Sequence, residues 1–249
     1  MSLQFIAHRG YSAERPENTI ASFDLAVESG FPFIELDVHL SKDGVPVVIH
    51  DFEVDRTTNS SGLVSEFTVN ELQSLDNGSW FVMDSGETHP PQYIPTLEEI
   101  LIRYRDRAHI VIEIKSPQPE LITSMRELLR SYGWLPDAPV GFGSVPGISI
   151  ISFDVTQLAF SKACLPELGH GFLALQPDSI SISLCLEHGF DGLFPFLGAM
   201  TPDIVKSAKA AGLYMGAWGI LRAEDLGYAI KLGISAVTVD WPGKADRFL

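Results

Sequence analysis

Three acidic residues and a lysine alternate with apolar residues in two short segments of the chain. The first segment reads Phe33-Ile34-Glu35-Leu36-Asp37-Val38, and the second reads Val111-Ile112-Glu113-Ile114-Lys115. Because successive side chains of a strand point to opposite faces, we expect all four to converge inside one fold. Three carboxylates held together repel one another, and a divalent cation removes that cost. An oxygen-only ligand set with open positions suits Mg²⁺ or Ca²⁺ better than zinc.

Two histidines are expected to flank the acidic cluster. His8 directly follows the first apolar run of the chain, and His50 follows a hairpin signal at Asp43 and Gly44. A turn centred between these two residues places His50 opposite Asp37, about 5 Å away, and a register shifted by one or two residues still brings it within a few ångströms of the acids. Imidazoles have an ordinary pKa of about 6.5 and are suited to paired general acid and base catalysis. The pattern therefore predicts an acid–base pair beside a metal.

Arg9 is a candidate for binding phosphate, and it also has a possible structural role. Arg9 offers a planar guanidinium that holds phosphate or carboxylate oxygens in a bidentate manner. Its alternative role is an ion pair with Glu17 or Asp51. Arg9 and Lys115 also allow a metal-free arrangement of internal salt bridges, although three acids against two bases leave an excess of negative charge. The remaining histidines are interpreted as structural, with His39 beyond the rim of the site.

Nine apolar runs of strand length alternate with amphipathic stretches of helical period. The strand-like runs are Leu3–Ala7, Phe33–Val38, Val45–Ile49, Ile110–Ile114, Ile148–Ser152, Gly171–Leu175, Gly192–Phe196, Leu213–Ala217 and Ser235–Val239. The helix-like stretches are Ile20–Ser29, Thr96–Tyr104, Glu120–Tyr132, Val155–Ala163, Ile180–His188, Pro202–Ala211 and Arg222–Leu232. Strands that alternate with helices pair in parallel through right-handed crossovers. The hairpin turns the third run back antiparallel on the second, so eight parallel strands remain.

Eight parallel strands with intervening helices predict an α/β fold of the TIM (β/α)₈ barrel type, with one extra hairpin strand after strand 2. We expect a single domain over residues 1–249. The connection from about residue 52 to residue 95 is interpreted as an insertion at the barrel mouth, with a short helix at Val69–Leu75. In such barrels the reactive face is the carboxyl end of the strands, where the charged residues stand.

Composition narrows the range of partners. The 249 residues include 17 Lys and Arg against 32 Asp and Glu, a formal net charge of −15. Nucleic acid binding needs clustered basic residues, so we expect a small-molecule substrate and no nucleic acid. No apolar run reaches the roughly 18 residues that span a bilayer, which predicts no stable membrane insertion. The two cysteines, Cys164 and Cys185, lack the number and spacing of a disulfide framework or a metal site. The first strand-like run begins at Leu3, which leaves no room for a signal peptide. Both features favour a cytoplasmic location. The oligomeric state stays open.

The motifs around these residues resemble the signature of the glycerophosphodiester phosphodiesterase family. In chain order they are Ala7-His8-Arg9-Gly10, Pro16-Glu17-Asn18-Thr19, Glu35-Leu36-Asp37-Val38, Lys42-Asp43-Gly44, Val48-Ile49-His50-Asp51, Pro95-Thr96-Leu97-Glu98-Glu99, Glu113-Ile114-Lys115, Ser152-Phe153, Trp218 and Asp240-Trp241-Pro242. The resemblance implies a TIM barrel and metal-dependent hydrolysis of glycerophosphodiesters to glycerol 3-phosphate and an alcohol. It also implies roles for particular residues: metal ligands Glu35, Asp37 and Glu113, an acid–base pair His8 and His50, and phosphate contacts Arg9 and Lys115.

Several features of the substrate stay open at this point. Phe153 and Trp218 are candidates for an apolar wall beside the glycerol or alcohol portion. The family commonly has an Asn shortly after this Trp, where the present chain continues with Gly219-Ile220-Leu221, and a Thr at the position of Val239. The alternatives are a lysophospholipase D or cyclic-phosphate-forming lyase on the same barrel, a catalytically silent binding protein, or an unrelated acid–base isomerase. The choice of Mg²⁺ or Ca²⁺, the first nucleophile and the division of acid and base roles also stay open.

Overall fold

In the computed structural model, which describes residues 3–139 and 141–245, nine strands form one continuous sheet. They are β1 (Gln4–Ala7), β2 (Phe33–Leu40), β3 (Pro46–Val48), β4 (His109–Ile114), β5 (Gly147–Ser152), β6 (Gly169–Ala174), β7 (Gly192–Pro195), β8 (Tyr214–Ala217) and β9 (Ala236–Val239). Eight of them are parallel and follow the order β1-β9-β8-β7-β6-β5-β4-β2, and β2 pairs with β1 to close the ring. This closed barrel with one strand outside the ring confirms the predicted TIM barrel.

The extra strand β3 runs antiparallel to β2, but its register differs from the prediction. Val38 is the Cα partner of Val48, and the amide of Ile49 donates to the Asp37 carbonyl at 3.1 Å. Asp37 therefore lies opposite Ile49, and the predicted pairing of Asp37 with His50 is wrong by one residue. The cause is the turn, a three-residue loop that ends at Gly44 with φ +80°, where a two-residue loop was assumed.

Helices follow the strands at nearly the predicted positions. In the described ranges they are α1 (Ile20–Glu28), α2 (Val69–Gln73), α3 (Leu97–Tyr104), α4 (Glu120–Ser131), α5 (Val155–Cys164), α6 (Ser179–His188), α7 (Pro202–Ala210), α8 (Ala223–Leu232) and α9 (Pro242–Ala245). Thr19, Thr68 and Thr96 begin α1, α2 and α3 as N-caps, each accepting a hydrogen bond from a first-turn amide. Among the residues with assigned structure, no helix is both long and apolar enough to cross a membrane.

Alternation along the strands separates two apolar layers. Ile34, Leu36 and Val38 of β2 point outward and are fully buried in the large cluster between barrel and helices. Inside the barrel a second cluster fills the space below the mouth. Six strands each contribute one buried side chain, and four partly buried aromatic residues pack against them: Ile6, Val111, Ile151, Leu173, Phe194 and Ala236, with Phe33, Phe142, Tyr214 and Trp218. This apolar packing fills the interior of the barrel, as is typical of the fold, whose reactive face is the carboxyl end of the strands.

The segment between β3 and α3 has a small apolar core of its own. Val54, Val64, Leu72 and Ile94 are buried together, and Val47 of β3 completes the cluster. Because β3 also pairs with β2, this core anchors the segment to the strand that carries Glu35 and Asp37. Apart from α2 and a single 3₁₀ turn, its described residues form turns and isolated bridges.

Candidate active site

Three carboxylates from two neighbouring strands meet inside the mouth of the barrel. Asp37 of β2 and Glu113 of β4 are Cα partners, and Glu35 lies two residues before Asp37 on the same inward face. One carboxylate oxygen from each residue lies within 4.8 Å of the others. All three residues are buried, with at most 7% of their surface exposed. The predicted convergence of acids 35, 37 and 113 is therefore present.

Two basic side chains partly neutralise the cluster. Lys115 Nζ donates to Glu113 Oε1 at 2.6 Å and lies 3.4 Å from Asp37 Oδ1. Arg9 Nε lies 3.3 Å from Asp37 Oδ2, and Arg9 Nη1 donates to Glu17 Oε1 at 2.8 Å. The ion pairs considered from the sequence, those of Arg9 and Lys115 with the acids and that of Arg9 with Glu17, are thus present. Neither removes Arg9 or Lys115 from the site, since both side chains line its pocket.

The pKa values of the acids show that the compensation is incomplete. Burial and the adjacent Asp37 carboxylate raise the pKa of Glu35 to about 8. The same two causes, burial first, raise the pKa of Glu113. Although burial opposes ionisation, the charges of Arg9 and Lys115 lower the pKa of Asp37. The protein alone therefore stabilises one of the three negative charges and leaves the other two unfavourable.

The donor set fits a divalent cation. Glu35 Oε2 accepts a hydrogen bond from the Arg9 amide at 2.9 Å, whereas the other oxygen, Oε1, is buried and has no partner. In Asp37, Asn18 Nδ2 donates to Oδ2 at 2.8 Å, while the buried Oδ1 accepts no hydrogen bond and lies 3.4 Å from Lys115 Nζ. A buried oxygen without a donor costs about 1–3 kcal/mol. Together with Glu113, these oxygens form the hard, anionic ligand set that Mg²⁺ and Ca²⁺ prefer.

His8 is held by a carboxylate from the neighbouring strand. Because Ala7 of β1 pairs with Val239 of β9, the next residues, His8 and Asp240, lie side by side. His8 Nδ1 and Asp240 Oδ1 are 2.6 Å apart, and Ser12 Oγ also donates to that oxygen at 3.2 Å. Although burial opposes it, the hydrogen bond to Asp240 raises the pKa of His8. The carboxylate thereby fixes the ring and leaves Nε2 for the pocket.

His50 is held in the same way by its sequence neighbour. Its Nδ1 atom lies 2.6 Å from Asp51 Oδ1, and its carbonyl lies 3.0 Å from the Nε2 atom of His39. His39 is buried, at 2% exposed, and does not line the cavity, in keeping with a structural role for this histidine. It lies on β2 past the last residue paired with β4, opposite Val47 of β3, and its ring contacts Phe52 edge to face. Burial lowers the pKa of His50, although the charge of Asp37 opposes the shift.

An ion-pair network links this histidine to Arg9. Arg56 Nε donates to Asp51 Oδ2 at 2.6 Å, and its two terminal nitrogens donate to Glu17 at 2.9 and 2.7 Å. Glu17 in turn accepts from Arg9. Although burial opposes ionisation, the Arg56 and His50 partners lower the pKa of Asp51 to about 2. The carboxylate that orients His50 is thus ionised at neutral pH and is linked through Arg56 and Glu17 to Arg9.

The turn after β1 adopts a backbone that few residues tolerate. Arg9 and Asn18 have φ values of +54° and +55°, in the left-handed region that costs a side chain about 1 kcal/mol. Gly10 between them has φ +83°, and a Cβ there would lie 2.4 Å from Ser22 Oγ. This turn directs the Arg9 amide to Glu35 and its guanidinium toward Asp37. Strain of this kind is typical of positions that hold a functional geometry.

The two histidines, the two basic residues and two of the three acids border one cavity of about 240 Å³. Its lining combines the ionic residues with an apolar wall: His8, Arg9, Glu35, His50, Glu113, Lys115, Ile151, Phe153, Leu173, Trp218, Gly219, Ile220, Leu221, Thr238 and Asp240. Asp37 lies beneath the lining and is fully buried. Phe153 and Trp218, the predicted apolar pair, contact each other edge to face with ring centroids 5.5 Å apart. The structure therefore brings every predicted site residue to this cavity or directly under it.

Reasoning from the sequence missed the residues that support the histidines. Asp240 stood in a quoted motif without a role, and Asp51 was considered only as a partner of Arg9. Strand order carries the signal for Asp240, since the first and last strands of a barrel are neighbours and their carboxyl ends meet. For Asp51 the signal is its position beside His50. Arg56, in the insertion, had no signal in the sequence.

Comparison with known proteins gives consistent matches over almost the whole chain. The model of the glycerophosphoryl diester phosphodiesterase family matches residues 8–244. A glycerophosphodiester phosphodiesterase of Caldanaerobacter subterraneus subsp. tengcongensis is 36% identical over 97% of this chain and 96% of its own. A solved phosphodiesterase from Oleispira antarctica, in complex with the product sn-glycerol-3-phosphate, is 31% identical with a TM-score of 0.87, covering 98% of this chain and 96% of its own. A Silicibacter pomeroyi structure, 23% identical with a TM-score of 0.86 and covering 99% of this chain and 92% of its own, shares the fold.

Proposed function

The chain belongs to the glycerophosphoryl diester phosphodiesterase family and is a phosphodiesterase, and we propose that it hydrolyses glycerophosphodiesters to glycerol 3-phosphate and an alcohol with one divalent cation. The observation that carries the proposal is the meeting of three buried carboxylates and two carboxylate-oriented histidines at one cavity. The Oleispira antarctica enzyme binds glycerol 3-phosphate on the same fold, which supports the choice of product.

Glu35, Asp37 and Glu113 are proposed to hold the cation. When bound, Mg²⁺ or Ca²⁺ would neutralise the negative charge that grows on the phosphoryl oxygens during hydrolysis. The buried oxygens of Glu35 and Asp37 that accept no hydrogen bond support this assignment. Arg9 and Lys115 are proposed to bind the remaining phosphoryl oxygens, because both cations line the cavity beside the acids. A local cationic group is needed here, since a chain with a net charge of −15 repels an anionic substrate.

The two histidines are proposed to move the protons. In the overall reaction an oxygen of water bonds to phosphorus, and the bond from phosphorus to the alcohol oxygen breaks. One imidazole takes the proton of the attacking water, and the other gives a proton to the departing alkoxide. The opposite directions of their pKa shifts favour His50, whose pKa is lowered, as the base and His8, whose pKa is raised, as the acid.

The proposal is tested with glycerophosphocholine and glycerophosphoethanolamine. Release of glycerol 3-phosphate is followed with Mg²⁺ or Ca²⁺ and with a chelator, for the wild type and for His8→Ala and His50→Ala. We expect each histidine variant to lose about 10²- to 10⁴-fold in kcat. His188→Ala, at the end of α6 outside the site, is the matched control and keeps its activity. A bell-shaped pH profile that persists in either site variant would remove the histidine pair from the mechanism.

Phosphorus NMR of the products separates hydrolysis from the lyase alternative. Direct hydrolysis by water gives only glycerol 3-phosphate, whereas attack by the neighbouring glycerol hydroxyl gives a cyclic phosphate first. Accumulation of the cyclic product would assign a lyase reaction to the same residues. Calorimetry that detects diester binding without turnover in several metals would instead indicate a binding protein.

A further inference from the structure

The main chain of His50 lies just past the end of the strand pairing that precedes it. Strand β3 pairs with β2 as far as Val48, and the Ile49 amide makes the last bond of the ladder, to the Asp37 carbonyl at 3.1 Å. Among the described residues the ladder does not include His50 itself. Asp51 orients the imidazole through Nδ1, whereas the position of the His50 main chain depends on other contacts.

His39 of β2 supplies such a contact. Its Nε2 atom lies 3.0 Å from the carbonyl oxygen of His50. Because a carbonyl oxygen only accepts hydrogen bonds, Nε2 carries the hydrogen and donates it. The same ring lies edge to face against Phe52, with ring centroids 4.9 Å apart. His39 therefore contacts the loop at residue 50 and again two residues later.

The other ring nitrogen of His39 is joined to the strand end that carries Lys115. Ser116 is the next residue, and its Oγ atom lies 3.3 Å from His39 Nδ1. That oxygen accepts a hydrogen bond from the Leu40 amide at 2.9 Å, which leaves the hydroxyl hydrogen for Nδ1. One imidazole thus connects the chain just past β4, the end of β2 and the loop that bears His50.

The hydrogen bonds of His39 are the feature that distinguishes it from an apolar residue at this position. The side chain is buried and does not line the cavity, so it is not placed to contact a substrate. A buried polar ring is costly unless its nitrogens find partners, and an apolar side chain would fill the same space without that requirement. What histidine adds here is a link between the strand of the acids and the main chain of His50.

We propose that His39 is a positioning residue, which sets the distance between the imidazole of His50 and the three buried acids. The inference rests on the proposed function, because His39 acts through the histidine that the proposed reaction uses as its base. A displacement of about 1 Å in a catalytic group lowers the rate by up to about a hundredfold. Since the effect falls on the transition state, loss of His39 lowers kcat and kcat/KM equally and leaves KM unchanged.

Two substitutions of His39 separate its hydrogen bonds from the volume of its ring. His39→Phe keeps an aromatic ring against Phe52 but removes both bonds, and we expect kcat for glycerophosphocholine to fall about 10- to 100-fold at saturating metal. His39→Gln keeps an N–H donor for the His50 carbonyl, and we expect kcat within about threefold of the wild type. His109→Phe is the matched control and keeps its kcat. His109 is also buried with both ring nitrogens bonded, but it begins β4 at the far end of the barrel.

A double-mutant cycle shows whether the effect passes through His50. In the His50→Ala background, His39→Phe is expected to change the residual kcat by less than about twofold, because the residue that it positions is already absent. A further fall of about tenfold in that background would overturn the inference, as would a normal kcat in His39→Phe or equal losses in the Phe and Gln variants. A normal kcat in His50→Ala alone would instead contradict the proposed function.

Ser116→Ala gives the same test without a change in the imidazole. It removes the hydroxyl group at Nδ1, and we expect kcat to fall about three- to tenfold in the wild-type background and less than about twofold in His50→Ala. Circular dichroism establishes that each variant is folded. If His39→Phe does not fold, an unchanged kcat in Ser116→Ala would overturn the inference.

Discussion

Replacement of Asp240 by asparagine tests how the structure prepares His8. Asp240 Oδ1 lies 2.6 Å from His8 Nδ1, and the carboxylate both orients the ring and stabilises its protonated form. Asparagine has the same shape and can accept the same hydrogen bond, but it carries no charge. The variant therefore removes the electrostatic part of the contact while Ser12 and the β1–β9 pairing stay in place.

The size of the effect follows from the exposure of the pair. A hydrogen bond to a charged group contributes about 1.5–3 kcal/mol. The side chains of His8 and Asp240 are 32% and 50% exposed, so solvent screens the charge. We therefore expect the substitution to cost about 1–2 kcal/mol of stabilisation of protonated His8. At 1.36 kcal/mol per factor of ten, kcat falls by about 5- to 30-fold. Loss of the charge that raises the pKa of His8 also makes the ring lose its proton at lower pH.

The assay is the pH dependence of kcat/KM for glycerophosphocholine hydrolysis. If His8 is the acid, activity falls on the alkaline side as His8 deprotonates, and Asp240→Asn moves this limb to lower pH. The acidic limb, which reports protonation of His50, stays where it is. Asp106→Asn, an exposed residue before β4 at the opposite end of the barrel, is the matched control. A variant whose kcat falls equally at every pH, with both limbs unmoved, would refute the role of Asp240.

Three further predictions address the network, the cluster and the fold. Arg56→Ala removes the donor shared by Asp51 and Glu17, and we expect kcat to fall about three- to tenfold with little change in KM. Steady-state kinetics at saturating metal measure both constants, and an unchanged kcat would contradict the role of Arg56. Glu35, with a pKa raised to about 8, destabilises the metal-free protein increasingly as pH rises from about 4.5 through 8. Glu35→Gln should therefore stabilise the protein by about 1–3 kcal/mol at pH 9 in chelator, but not at pH 4, as measured by urea unfolding. A loss of stability at pH 9 would argue against charge repulsion between Glu35 and Asp37. Gly10→Ala adds a Cβ 2.4 Å from Ser22 Oγ at φ +83°, and we expect about 2–4 kcal/mol of destabilisation in the same unfolding assay, with a change below about 0.5 kcal/mol contradicting the account.

The sequence carries enough information to predict the barrel because each of its elements is bounded locally. Apolar runs alternate with amphipathic ones, and cap residues such as Thr19 and Thr96 mark where helices begin. The one error of register arose at a turn. A loop of two or three residues is decided by the φ of Gly44 and its neighbours, which periodicity does not report. An error of one residue moved the partner of Asp37 from His50 to Ile49.

The acids of the site were predictable because they share strands with an unmistakable in-and-out alternation. Their supporting residues were not, since those depend on contacts between distant parts of the chain. His8 and Asp240 are 232 positions apart and meet only because the barrel closes between β1 and β9. Arg56 joins Glu17 to Asp51 from an irregular segment, whose path depends on its small apolar core. Such contacts follow from closure and loop packing, which local patterns do not specify.

The most direct test of the account is the location of the metal. Crystals soaked in Mn²⁺ and glycerol 3-phosphate would be measured at the manganese absorption edge. The account predicts one anomalous peak at coordination distance, about 2.0–2.6 Å, from an oxygen of each of Glu35, Asp37 and Glu113. A peak bound elsewhere, or no peak in crystals of an enzyme that still hydrolyses glycerophosphocholine in chelator, would contradict it.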